Sequence, residues 1–471
     1  MMGGLVILWT DALVFLLLFF SVAFAVYAAR REHLRGPWRQ VVRSRVGVST
    51  LVILSFYVVI GLLDSIHFEP QFSPDQQTGA QVQSSEVYSL FDRLVQPLRV
   101  RQEKTYSAPL ATHLYAKENI EQPDGTVIRD FPRLQYGGAH LADPERDWAQ
   151  DIMRLSLIGL IKGLVVTLVM ANILFALLAA RRSGGFAGAA KEVLSGKSDI
   201  PWRSVLITLG LLLMVLFWAV ELSGRYHLLG TDKVGEDVFY QALKSIRTGL
   251  LIGTLTTLVM LPAAILLGIM AGYFRGWVDD LIQYTYTTLN SIPGVLLIAA
   301  AILMLQIYMS NHADEFNSLV ERADLRLLFL CIILGVTSWT GLCRLLRGEA
   351  MKLREVDYVQ AAVAFGVGHF QIILRHILPN VLHIVMITVV LDFSGLVLAE
   401  AVLSYVNIGV DPTMNSWGNM INSARLEMAR EPVVWWSLMA AMIFMFTLVL
   451  SANLFSDVVR DAFDPRLRSS R

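Results

Sequence analysis

The chain has 471 residues, 55% of them hydrophobic and 17% charged, with a mean hydropathy of +0.54. A soluble globular chain carries about 25% charged residues, so this deficit argues against a cytosolic enzyme, and the apolar content excludes disorder. Thirty-nine basic side chains balance thirty-nine acidic ones, a zero net charge with no footprint for nucleic acid.

A bilayer core takes about 20 apolar residues in helix. Nine segments meet that need, near 5–29, 45–63, 155–180, 203–222, 246–272, 281–308, 326–345, 380–404 and 434–456. The first contains Ala23-Phe24-Ala25, similar to a leader cleavage site. However, Met1 to Gly4 has no basic residue and the apolar stretch runs straight into Arg30-Arg31, so it reads as a retained helix with Asp11 at the headgroups. Between segments two and three lie about 90 residues, Asp64 to Arg154, with seven prolines and the turn signals Asp124-Gly125 and Tyr136-Gly137-Gly138. This predicts a small, loop-rich insertion outside the cytoplasm, with a short strand at Thr126-Val127-Ile128. Lys162, in the third segment, is expected to snorkel outward.

Basic residues in short loops set orientation. Arg30, Arg31, Arg35, Arg39, Arg43 and Arg45 follow the first segment, and Arg181, Arg182, Lys191, Lys197 and Arg203 follow the third. Arg344, Arg347, Lys352, Arg354 and Arg375 follow the seventh, and Arg460, Arg466, Arg468 and Arg471 close the chain. All four groups fall on one side if nine segments span, which puts the N-terminus outside and the C-terminus in the cytoplasm. The cysteines, Cys331 and Cys343, are roughly 18 Å apart along one helix, too far for a disulfide, and read as buried apolar side chains.

Gly196-Lys197-Ser198 invites a phosphate-loop reading, but position 191 is Lys where that motif needs Gly, and no strand precedes it. His369, His376 and His383 recur every seven residues, but Pro379 interrupts them and no carboxylate or Cys completes a ligand set, so no metal site is expected. His376 reads as a polar-contact residue of a loop. Asp392 and Glu400 lie within the eighth segment, about 12 Å apart on one helix face. Intramembrane carboxylates are costly and default to a functional role, so both are candidate path-lining residues. The chain shows no catalytic triad, metal cluster or phosphate loop, and so no enzyme chemistry.

The most informative stretch is 347–379. It begins as a helix-forming run, Arg347 to Phe365, whose end is rich in small residues at 361, 362 and 364. Gly366 and Gly368 permit a sharp turn, and a second short helix from His369 leads to Leu378-Pro379. This predicts a docking helix–turn–helix outside the bilayer. Gln360, Ala361, Ala362, Gly366, Arg375, His376, Leu378 and Pro379 are its candidate residues.

Two alanines, three residues, a glycine, nine residues and an apolar run ending Leu-Pro resemble the EAA loop of ABC importer permeases, with Gln360 where that family commonly has Glu. Other segments resemble the dipeptide and oligopeptide branch. His227-Leu228-Leu229-Gly230-Thr231-Asp232 with Gly235-Glu236-Asp237-Val238 is similar to its periplasmic signature, Glu236 standing in place of the usual Arg. Ala271 to Asp279, Leu398 to Ser404 with Ser416-Trp417-Gly418, and Arg460 to Arg466 are also similar, in the family's order.

The resemblance implies an all-α polytopic membrane protein with a six-helix permease domain at 203–471. A two-helix extension (1–63), the insertion (64–154), and a third extension helix with its cytoplasmic loop (155–202) precede it. It implies the permease subunit of a binding-protein-dependent importer in the bacterial inner membrane, with peptides as the substrate class. It implies as partners a second permease, two ATP-binding subunits and a periplasmic solute-binding protein, with ATP and Mg²⁺ on the ATPases and no cofactor in this chain. Coupling falls to 347–379, and Gly230, Thr231, Asp232, Gly235, Asp237 and Trp417 form the periplasmic signature, facing the binding protein. Two alternatives stand beside it: a proton-coupled carrier using Asp392 and Glu400, or a signalling protein sensing through 64–154.

Overall fold

The computed structural model describes residues 2–30, 32–70, 87–121, 127–180, 185–196, 198–312 and 318–463. The Asp124-Gly125 turn, Lys197 and the Asp464-Pro465-Arg466 ending lie outside these residues.

Strand β1 (Met2–Val6) precedes the first long helix, α1 (Trp9–Arg30), and the amphipathic α2 (Glu32–Arg43) follows. Helix α3 (Arg45–Asp64) starts at Ser44, whose hydroxyl accepts from the Gly47 N–H. The insertion then holds β2 (His67–Pro70), β3 (Tyr88–Ser89), α4 (Leu90–Leu94), α5 (Gln96–Val100), β4 (Glu118–Glu121) and β5 (Val127–Asp130). Strands β1, β2 and β3 form one antiparallel sheet, with Val6 opposite His67 and His67 opposite Ser89. Strands β4 and β5 pair with Ile120 opposite Ile128, so the strand expected at 126–128 runs from 127 to 130.

Helices α6 (Pro144–Ala180), α7 (Gly185–Ser195) and α8 (Trp202–Ser223) follow. The rest comprises α9 (Val238–Phe274), α10 (Trp277–Ser291), α11 (Gly294–Asn311), α12 (Leu319–Arg354), α13 (Asp357–Ala364) and α14 (His369–Ile372). A π turn (Ile373–Ile377) leads into α15 (Leu378–Tyr405), and α16 (Trp417–Glu427) and α17 (Trp436–Phe463) are the last described elements. Among the described residues nine helical segments are long and apolar enough to cross a membrane, in the places the hydropathy predicts.

Three expectations need correction. The sixth segment, expected as one helix over 281–308, is two: Pro293 drives Ile292 to φ −90°, ψ 128° and parts α10 from α11. The run expected as one helix from Arg347 to Phe365 breaks at Glu355-Val356, because α12 continues to Arg354 and a new helix begins at Asp357. Asp11 does not face out toward headgroups; it is 1% exposed, packed inside the molecule.

Helices α9, α12 and α15 build the core that positions the 347–379 loop. Leu342, Leu346 and Ala350 of α12 pack with Met260, Ile269 and Tyr273 of α9 and with Ile377 and Val381. The backbones nearly touch: a Cβ on Gly272 would lie 2.5 Å from the Arg347 carbonyl oxygen, so only glycine allows this crossing. A second cluster joins α3 of the extension to α9, α16 and α17 through Tyr57, Ile246, Trp417 and Trp436. Lys162 meets Glu221 of α8 at 2.5 Å rather than standing free.

Candidate functional site

The 347–379 loop is pinned on one side and bare on the other. Val359, Ile372 and Ile377 are fully buried, anchoring α13, α14 and the π turn to the core. Phe365 is 87% exposed and Phe370 76%, flanking the turn as an open apolar pair. Between them Gly366 adopts φ +75°, a conformation that L side chains rarely take. Ala361 is exposed and Ala362 half-buried, so α13 presents a shallow, small-residue face. Gln360 is exposed and donates to Glu355 at 3.1 Å. Arg375 and Pro379 are exposed, His376 and Leu378 half-buried, and the Asn380 amide bridges the His376 carbonyl (2.6 Å) and the Tyr358 hydroxyl (3.1 Å).

Four contacts brace this loop. Arg347 grips Asp279 through two parallel bonds of 2.6 and 2.7 Å, tying α12 to α10. Arg354 donates to the Tyr273 carbonyl at 2.8 Å, the Tyr273 hydroxyl meets His369 Nδ1 at 2.8 Å, and Arg275 meets Glu355 at 2.6 Å. The arrangement is a braced loop with an exposed apolar tip.

The signature residues near 230 are placed otherwise than expected. Thr231 is 0% exposed, Asp237 2% and Trp417 1%. Asp237 caps α9, accepting from the N–H groups of Phe239 (2.9 Å) and Tyr240 (3.1 Å). Thr231 accepts from the Ser107 N–H at 2.7 Å and donates to the Thr105 carbonyl at 2.8 Å. Asp232 accepts from the N–H groups of Val234 and Glu236, both at 2.9 Å, and from the Gln241 amide. Trp417 donates to the Ala242 carbonyl at 3.0 Å. Gly230 and Gly235 both have positive φ, and a Cβ on Gly235 would lie 1.8 Å from the Glu103 carbonyl oxygen. The insertion therefore seats on this loop and covers it.

That seat is electrostatic. His227 lies between Asp237 (2.8 Å) and Glu103 (3.4 Å), all three nearly inaccessible. Burial opposes the imidazolium, but hydrogen bonds to Asp237 and Glu103 outweigh it and push His227 up to about 9. Burial likewise opposes the Glu103 carboxylate. Hydrogen bonds from His227 and from the N–H groups of Gln135, Tyr136 and Gly137 override it and bring Glu103 down to about 2.

Asp392 is half-buried on α15, with no hydrogen-bond partner among the described residues. Glu400 is 1% exposed and accepts from Ser404 at 2.7 Å, and its Oε1 lies against Gly418, so it ties α15 to α16 instead of facing open space. Sequence reasoning missed a larger cluster. Arg247 of α9 meets Asp11 of α1 at 2.6 Å, Asp11 meets His67 at 2.8 Å, and the Thr10 N–H donates to Asp324 of α12 at 3.1 Å. Charged residues inside apolar runs were the available signal.

Residues 264–469 match the family described as the binding-protein-dependent transport system inner membrane component. A glutathione transport system permease protein, GsiD of Pectobacterium atrosepticum, is 30% identical over 52% of this chain and 74% of its own length. An oligopeptide transport system permease protein, OppC of Mycobacterium tuberculosis, is 32% identical over 53% of this chain and 79% of its own. The chain belongs to this family. A dipeptide permease, DppC of Bacillus subtilis, is 27% identical over 51% of this chain and 69% of its own length. This permease subunit is thus a multi-pass membrane component of an ABC importer and a transport subunit rather than an enzyme. Its family implies an ATPase and a solute-binding protein as partners.

Proposed function

We propose that this permease subunit carries peptides inward by alternating access, as half of a channel completed by a second permease. Two ATP-binding subunits, holding ATP and Mg²⁺, drive it, and a solute-binding protein delivers the cargo. The N-terminus lies outside and the C-terminus in the cytoplasm, which places 347–379 where an ATPase can reach it. The domain with its six spans begins near residue 203, and residues 1–202 are an addition to it.

The observation that carries this reading is the loop at 347–379: an apolar tip, Phe365 and Phe370, on a braced base continuous with α12 and α15. An ATPase groove that closes on this tip moves both helices together, the rigid-body route to alternating access. The peptide class rests on the relatives, whose names specify glutathione, oligopeptides and dipeptides. Asp392, a carboxylate without a hydrogen-bond partner among the described residues, is the candidate path-lining group.

The test is uptake of labelled trialanine by proteoliposomes holding the complete importer and its solute-binding protein. ATP-dependent accumulation that survives a protonophore is expected. Accumulation that follows the proton gradient while ATP persists overturns the reading.

A further inference from the structure

Two of the membrane-crossing helices, α3 and α17, lie side by side and antiparallel. A Cβ on Gly47 would meet the Val458 side chain at 3.1 Å, and further along α3 the Tyr57 hydroxyl donates to the Phe444 carbonyl at 2.9 Å. Alongside these contacts the helices leave a groove of about 390 Å³, lined by Val46 and Ile53 of α3 and by Phe446, Leu450 and Leu454 of α17. Eight residues of rise on each helix make it roughly 12 Å long, close to the roughly 15 Å of hydrocarbon in one leaflet. The hydroxyls in its wall are already engaged. Thr50 and Thr447 donate to the Val46 and Ile443 carbonyls of their own helices at 2.9 and 2.8 Å, and Ser49 accepts from Thr208 at 3.0 Å. The interior therefore suits a hydrocarbon chain.

One end of the groove is charged. Arg45 is the single charged residue in its lining among the described residues; it is exposed and has no ion pair or hydrogen bond among them. Helix α2 ends two residues earlier and lies across the end of α17, where Trp38 and Val41 pack with Val459, Ala462 and Phe463. Its exposed Arg35, Arg39 and Arg43 recur every four residues, on one helix face. The acidic groups seen at this end are committed: Asp199 to Arg43 at 3.4 Å, and Asp457 and Asp461 to Arg460 at 3.2 and 3.9 Å. Arg35, Arg39 and Arg45 have no acidic partner among the described residues.

We propose that this groove binds one anionic phospholipid, with an acyl chain laid along α3 and α17 and the phosphate on Arg45. Arg39 and Arg35 add attraction for the headgroup's net negative charge. A partner's apolar helix seated here would cover Arg45 and leave its charge unpaired, which is costly in a membrane. A lipid phosphate instead pairs the guanidinium at the water boundary, through charge-assisted bonds. A lipid so held joins the extension to the last helix of the six-span core. On the orientation proposed above the leaflet is the cytoplasmic one, but binding does not depend on which way the chain is inserted or on what it transports.

The test is native mass spectrometry of the complex as it purifies in mild detergent, titrated with defined lipids. Phosphatidylglycerol is expected to be retained once per copy of this chain, at least tenfold more tightly than phosphatidylcholine. One arginine near an anionic headgroup is worth a factor of about five, so Arg45→Gln is expected to weaken phosphatidylglycerol about fivefold and leave phosphatidylcholine nearly unchanged. Val46→Phe, at an exposed position of the groove wall, is expected to weaken both lipids alike. Excess inorganic phosphate is expected not to displace the lipid. Equal retention of the two lipids, undiminished phosphatidylglycerol on either folded variant, displacement by phosphate alone, or no retained lipid because a partner subunit fills the groove would each overturn the proposal.

Discussion

Gly366 offers a clean perturbation of the proposed coupling loop. Its φ is +75°, and a Cβ there would find no atom within 4 Å, so any cost of a side chain is backbone conformation and not collision. The left-handed conformation costs an ordinary L residue about 1–2 kcal/mol relative to glycine, a five- to thirty-fold loss in the ratio of native to relaxed turn. Asn tolerates this region better than Ala, and a β-branched residue is worse than either, toward about 3 kcal/mol. Peptide taken up per ATP hydrolysed is therefore expected to fall in the order Gly, Asn, Ala, Val, while the amount of copurifying complex in the membrane stays constant. Gly368 is the internal control: it also has no neighbour within 4 Å of a Cβ, but its φ is −61°, so Gly368→Ala is expected to be silent. The measurement is paired uptake and ATPase activity in proteoliposomes. Native coupling in Gly366→Val, or equal losses in Gly366→Ala and Gly368→Ala, would refute the strain argument and with it the role given to this turn.

Three further outcomes are expected. Docking of the insertion depends on pH: a group raised to about 9, His227, contributes fully below its ordinary 6.5 and loses that contribution as pH climbs to about 9. Glu103, lowered to about 2, contributes fully above its ordinary 4.5 and loses it as pH falls toward 2. Hydrogen-exchange protection across 103–107 and 226–237 is then greatest between those ordinary values, and His227→Gln removes the alkaline limb; a flat profile in the native chain contradicts this. Asp279→Asn leaves Arg347 without its two-pronged partner and is expected to cost about 1.5–3 kcal/mol, read as a lower Tm of the complex. Asp392→Asn is expected to lower uptake at unchanged Tm, whereas Glu400→Ala lowers Tm because the Ser404 hydroxyl and α16 lose their shared acceptor; the reverse pattern would exchange the two roles.

The parts legible in the sequence are those set by neighbours along the chain. Spans follow from runs of apolar residues, and the Gly366 turn follows from a glycine between two helix-forming stretches. The break at Pro293 was equally local, since a proline restricts the residue before it, but the apolar run on both sides hid it. Pairing between distant residues had no such signature. Thr10 and Asp324 are 314 positions apart and Asp11 and Arg247 236 apart, so the sequence marks each charge as costly without naming what neutralises it. The signature near 230 shows the same divide. Its glycines and acids were recognisable as a pattern, but their burial follows from the insertion folding over them, and no residue within 227–238 encodes that cover.

The two arms leaving the 347–379 loop are built differently. Helix α12 is 36 residues long, roughly 54 Å at 1.5 Å per residue, with no proline inside it, and its far end holds Asp324 against Thr10 of the extension. The other arm enters α15 through five residues of π turn followed by Leu378-Pro379, a wider winding that interrupts the regular ladder. One arm is a strut and the other carries a joint. On the proposed docking of an ATPase at Phe365 and Phe370, the strut is expected to carry the push while the joint adds local bending, so the passage that the two helices flank changes shape as they move together.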